Sequence, residues 1–135
     1  MNNIEIVEKW FEYLEKLDAE KICSLYNSDY MKFEWPFAPT NFPKVLEGNS
    51  QQMLTSVGGM FLGFKSLKAA SKNIMKLEDP NTVLVIWNGD AEIVTGATYK
   101  NSYINLFKVK DGKIYEIVEY YNPLVILETF MGQKF

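Results

Sequence analysis

A chain of 135 residues, 47% hydrophobic and 23% charged, has the size and balance of one folded domain around one core. A net charge of −3 with no basic cluster argues against a nucleic-acid partner, which needs a positive face. Histidine is absent and Cys23 is the lone cysteine, so no internal disulfide forms, no metal site is expected, and acid–base chemistry falls to Asp, Glu, Tyr, Lys or one thiol.

The opening MNNIEIVEKW carries early acids and no apolar signal core, and no apolar run approaches the ~20 residues that span a membrane. With a single thiol, a reducing, cytoplasmic setting without membrane contact is expected. Ile4, Val7, Phe11, Leu14 and Leu17 recur at helical spacing, widened by Trp10 and Tyr13, and predict an amphipathic helix over 3–17. Asp18 caps a shorter helix reaching Tyr26. Residues 30–35 suit a strand that Pro36 stops. The next stretch, PFAPTNFPKVL, reads as an extended loop because proline removes donors. Asn49 or Ser50 starts a third helix, with Met53, Leu54 and Val57 inward and Gly58-Gly59 as its end. The GGMFLGF segment reads as a mobile apolar wall.

Strand-like runs follow at 66–77, 82–94 and 99–109. The first is the weakest, since its Ala and Lys content also suits a helix. Asp111-Gly112 then joins residues 99–109 to 114–121 as a hairpin, and the chain from Leu124 packs as a C-terminal segment. Helices followed by antiparallel strands predict an α+β fold, a curved sheet with helices across it, whose open mouth suits a small ligand. No linker or repeat divides residues 1–135. The last strand poses a question. Tyr115, Ile117, Glu119 and Tyr121 share one face, and Ile114, Glu116, Val118 and Tyr120 the other. Each face carries one carboxylate, so alternation does not choose between Glu116 and Glu119.

Three pieces, IVEKWFEYLEKLDAEKICSLY, DYMKFEWPFAP and NSYINLFKVKDGKIYEIVEYYNPL, resemble in order the nuclear transport factor 2-like superfamily and its SnoaL-like branch. The resemblance covers nearly the whole chain and implies a cone-shaped α+β barrel with a buried pocket, commonly a homodimer. Ketosteroid isomerases, polyketide cyclases, limonene-epoxide hydrolase, phenazine-biosynthesis proteins and non-catalytic binding domains share that fold, so the site must decide the function.

Set against ketosteroid isomerases, Trp10 stands at the helix Tyr, Trp35 at the base Asp before proline, and Asn105 at the strand Asp that an apolar site keeps protonated. Indole cannot abstract a proton and an amide has none to exchange, so the steroid-isomerase mechanism is excluded. No arginine occurs, which removes the Arg–carboxylate trio of limonene-epoxide hydrolase. EYYNP does match the acidic–aromatic–x–Asp/Asn–Pro pattern of the SnoaL-like branch, and this implies Glu119 as a general acid or base facing the pocket. Asn105, Tyr103 and Asn101 share a strand face and are candidates to orient a ligand oxygen, while Trp10, Trp35, Tyr121, Phe61, Phe37, Phe64 and Met60 are candidates for cavity wall or core. Cys23 reads as an inert core thiol. No cofactor is needed for proton transfer with positioning. Three readings stay open: a cofactor-free isomerase, cyclase or lyase acting on a small apolar or aromatic molecule; a non-catalytic binder of an apolar metabolite; and a dimeric interaction module.

Overall fold

The computed structural model describes residues 1–135. Four helices and six strands follow in the order α1 (Asn3–Glu15), α2 (Ala19–Ser24), β1 (Met31–Glu34), β2 (Val45–Gly48), α3 (Ser50–Phe61), β3 (Phe64–Lys76), β4 (Thr82–Ile93), β5 (Thr98–Lys110), β6 (Lys113–Tyr121) and α4 (Pro123–Met131). The strands form one curved, unclosed sheet in the order β2-β1-β6-β5-β4-β3. All pairings are antiparallel except β1 with β6, so the sheet is mixed. An irregularity between Ala70 and Asn73, with Ser71 at a φ of 54°, bends β3, as bulges do. The concave face buries Val83, Val85, Trp87, Phe107 and Ile117 against α1, whose Ile6, Val7, Trp10 and Phe11 are nearly sealed from solvent.

Local chemistry accounts for the element ends. Asn2 and Asn49 each build a capping box, with Glu5 and Gln52, at the starts of α1 and α3. Asp18 caps α2 by accepting from the Lys21 amide. Asp111 and Gly112, at φ 51° and 76°, supply the two left-handed residues of the β5–β6 hairpin. Asn122 and Pro123 do two jobs at once. Proline ends β6, and the same pair opens α4, with the Asn122 side chain accepting from the Leu124 amide and proline at the first helical position.

Four expectations are corrected. The proline-rich stretch gives way to a strand at Val45, because β2 pairs with β1 at the sheet edge. Gly58-Gly59 lies inside α3, which runs on to Phe61; burial of Met53 and Val57 holds the helix past its glycines. Met60 and Phe61 therefore belong to a helix and not to a mobile loop. Phe37 is neither core nor cavity wall: it is 59% exposed and meets Tyr120 edge-on at 5.2 Å on the opposite side of the sheet from Glu119.

Candidate functional site

Between the concave face, α1, α3 and α4 lies a cavity of about 270 Å³. That is near the lower end of the range for small-molecule pockets, roughly 300–1,000 Å³. Of its 21 lining residues, 19 are hydrophobic. Trp10 enters from α1, Phe61 from α3, Phe130 from α4, and Trp35 from the end of β1. Glu119 is the one carboxylate in the wall, and no lysine joins it there.

Glu119 reaches the cavity through strand parity and register. It stands directly across from Asn105 in the β5–β6 ladder. Trp87 Nε1 donates to Asn105 Oδ1 at 3.0 Å. An indole N–H can only donate, so it fixes the amide with Nδ2 toward Glu119. Asn105 Nδ2 then donates to Glu119 Oε2 at 2.9 Å, and Trp35 Nε1 donates to Oε1 at 3.0 Å. Each carboxyl oxygen thus receives one fixed donor. A proton on Glu119 has no protein acceptor and can be passed only into the cavity.

Burial raises the Glu119 pKa to about 7, because desolvation of the charged form outweighs the two hydrogen bonds that favour it. The titratable groups whose pKa Glu119 influences are phenols: Tyr26 just beyond α2, Tyr99 and Tyr103 from β5, and Tyr121 from β6. Burial pushes Tyr99 and Tyr121 up to about 12 and raises Tyr26 and Tyr103 as well. All four stay neutral while Glu119 titrates. Burial likewise pushes the Cys23 thiol up to about 11, which removes thiolate character near neutral pH.

Glu119, Tyr103, Trp10, Trp35, Tyr121 and Phe61 all line the cavity. Asn105 does not. It is fully buried behind Glu119, and both ends of its amide are held by protein groups. Asn101 also points inward, but its Nδ2 bonds Tyr99 Oη at 2.8 Å and the Asn122 carbonyl at 3.0 Å. Glu34 is half-buried at 3.9 Å from Lys32, away from the cavity. Three residues escaped sequence reasoning: Trp87, Tyr99 and Tyr26. Tyr99 shares the parity of residues 101, 103 and 105, so period two could have found it. Trp87 stacks on Tyr103 with centroids 4.3 Å apart, an arrangement that depends on Gly89. A Cβ at Gly89 would come within 2.8 Å of the Tyr103 ring. Tyr26 accepts from Trp10 Nε1 at 3.0 Å, a contact between α1 and the segment after α2 that no sequence spacing announces.

No group of three His, Cys, Asp or Glu side chains comes together to hold a metal ion, and no helix is long and apolar enough to cross a membrane.

A curved mixed sheet cupping a largely hydrophobic cavity, with four helices, is the nuclear transport factor 2-like fold. The chain belongs to the SnoaL-like domain family, which matches residues 7–117. Among curated proteins it is similar to the uncharacterised protein YesE of Bacillus subtilis, 28% identical over 129 residues that cover 95% of this chain and 86% of YesE. A Bacillus subtilis crystal structure provisionally named an isomerase superposes with a TM-score of 0.85 at 28% identity, covering 96% of this chain and 93% of that one. TerC, co-crystallised with polyporic acid, shares the fold at a TM-score of 0.77 and 14% identity, covering 96% of this chain and 97% of TerC.

Proposed function

We propose that this chain is a cofactor-independent isomerase, cyclase or lyase acting on a compact apolar or aromatic carbonyl compound, with Glu119 as the group that moves the proton. The carrying observation is a carboxyl with a pKa of about 7 in a chamber whose walls are otherwise almost wholly hydrophobic. A base poised near working pH takes a proton from carbon and returns it most efficiently. In the step proposed, Glu119 removes a proton beside the carbonyl, the electron pair moves to the carbonyl oxygen as an enolate, and the proton returns at carbon. Trp35 and Asn105 hold the carboxylate form, while Trp10, Phe61, Tyr103 and Tyr121 shape the chamber. Co-crystallisation of the similarly folded TerC with a small molecule supports a small-molecule occupant here. The single buried thiol fits a reducing, cytoplasmic setting.

Deuterium exchange into 2-tetralone in heavy water, followed by proton NMR, tests this. The wild type is expected to accelerate exchange over buffer, and Glu119→Gln to lose about 100-fold or more of that acceleration. Binding without acceleration would leave a non-catalytic carrier of apolar metabolites.

A homodimer is proposed from the convex face of the sheet. Met75, Leu84, Leu106 and Val118 lie side by side in register there, beside a second row of Ile86, Ile104 and Tyr120. Ile86 and Ile104 are 45% and 42% exposed, a large apolar patch for an unpartnered surface. Ile104→Lys is expected to yield monomers by light scattering while the cavity still binds ligand.

A further inference from the structure

Glu119 is not the only polar pole of the chamber. Tyr99, Asn101, Tyr103 and Asn105 project from one face of β5, and Tyr103 stands across from Tyr121 one rung beyond the Asn105–Glu119 pair. Asn101 Oδ1 accepts from the Ser102 and Asn122 amides, which fixes its Nδ2 toward Tyr99 Oη and the Asn122 carbonyl. Tyr99 Oη lies 3.0 Å from Tyr103 Oη. Two hydroxyls carry two protons, and one bond between them uses one. Whichever phenol donates to the other, one O–H of the pair has no protein acceptor. Both residues line the cavity, so whatever occupies the cavity is what accepts that proton. A buried donor left unpaired is unfavourable until something accepts from it.

We infer that the Tyr99–Tyr103 hydroxyl pair, braced by Asn101, is a second ligand-binding pole that donates a hydrogen bond to an uncharged ligand oxygen, a carbonyl or ether in a compact cyclic compound. The chamber has no cation in its wall, so a carboxylate or phosphate ligand would lie unpaired among aromatic rings and beside Glu119. A neutral oxygen acceptor satisfies the free O–H without that penalty. This rests on the reading of the cavity as a ligand site, and it adds which groups hold the ligand's neutral oxygen while Glu119 works on a neighbouring carbon. Removing one hydroxyl is not enough to abolish the pole, because the surviving phenol then turns its own O–H inward. Only the double change empties it.

Trp10, Trp35 and Trp87 all line the cavity, so quenching of their fluorescence reports occupancy. The probes are 2-tetralone, its oxygen-free analogue tetralin, and 2-naphthoate as the charged comparison. Wild-type protein is expected to bind 2-tetralone about tenfold more tightly than tetralin, the scale of one buried hydrogen bond, and to bind 2-naphthoate more weakly than 2-tetralone. Tyr99→Phe/Tyr103→Phe is expected to bring 2-tetralone and tetralin within about twofold of each other while tetralin binding holds. A preference for the ketone that survives in the double variant overturns the inference, as does tighter binding of 2-naphthoate. Should the double variant not fold, the infrared carbonyl stretch of 2-tetralone bound to wild type at about pH 9 decides. There Glu119 is ionised and cannot donate, so a stretch shifted below its value in hydrocarbon solvent that persists in Tyr26→Phe and in Tyr121→Phe places the donor on the Tyr99–Tyr103 pair, and an unshifted stretch, or a shift that either of those variants removes, sinks the pole. Loss of deuterium exchange in Glu119→Gln with the ketone preference absent leaves the catalytic reading standing without this one. The reverse pattern removes the catalytic reading alone.

Discussion

Glu116 and Glu119 are three residues apart on β6, and their surroundings share almost nothing. Glu116 sits on the convex side, its side chain 24% exposed, 3.6 Å from Lys108 in a surface pair. Glu119 faces the concave chamber, 8% exposed, with two tryptophans and an asparagine arranged around it and no cation at hand. Strand parity puts them on opposite faces. What differs is the solvent each carboxyl was folded into. One keeps part of its contact with water and pairs with a lysine; the other loses water, gains donors fixed by indole N–H groups, and titrates near neutral pH. A raised carboxylate pKa is here a property of environment, not of residue type or local sequence.

Exchanging each glutamate for glutamine is the sharpest way to break the contrast. Glu119→Gln is expected to reduce catalysed proton exchange by about 100- to 10,000-fold, the span of general acid–base catalysis, while Glu116→Gln leaves it within about twofold. Glutamine is not a silent replacement at 119. It offers one acceptor oxygen to two donors, so either the Trp35 indole or the Asn105 amide loses its partner.

Next in size is the pH dependence of stability. The folded pKa of Glu119 lies above its ordinary value of 4.5. The folded state therefore holds the proton more tightly. Its contribution is fully present below about pH 4.5 and is lost as pH rises through about 7. Denaturant unfolding should show stability falling by about 3 kcal/mol across that window, from a shift of this size at about 1.4 kcal/mol per pH unit. Glu119→Gln should flatten the slope and Glu116→Gln should keep it. An unchanged slope in Glu119→Gln would place the titrating group elsewhere.

Trp87→Phe sharpens the contrast from behind. It removes the N–H that orients Asn105, leaves a buried carbonyl oxygen without its donor, and is expected to cost about 1–3 kcal/mol. Freed, the Asn105 amide can turn its oxygen toward Glu119, so the pH–rate profile should move to higher pH. A profile that stays in place would show that Trp87 only packs. The smallest effect is on the convex side: loss of the Glu116–Lys108 pair in Glu116→Gln should change stability by no more than about 0.5 kcal/mol.

Much of this architecture was legible in residue order. Amphipathic spacing marked α1, Asp18 and the Asn49-Ser50 pair marked helix starts, and Asp111-Gly112 marked the hairpin, because caps and left-handed turns are decided within a few residues. Less was legible where a partner far along the chain decides. Val45–Gly48 became a strand only because β1 offered an edge, and α3 ran through two glycines because its apolar face was already buried. The site divides in the same way. The resemblance carried by EYYNP pointed to Glu119 where alternation left Glu116 open, and period two placed Tyr103 and Asn105 on one face. That Asn105 stands behind Glu119 and not against a ligand depends on the Trp87 indole, 18 residues away along the chain.

The sequence by itself determined the elements, their amphipathic faces and the supply of chemistry: one thiol, no histidine, no arginine, and carboxylates among aromatics. Tertiary structure alone decided which carboxylate lost its water and which two phenols meet in a hydrogen-bonded pair. Desolvation and hydrogen-bond pairing depend on groups brought together from distant strands and helices, and no local pattern encodes who those neighbours are.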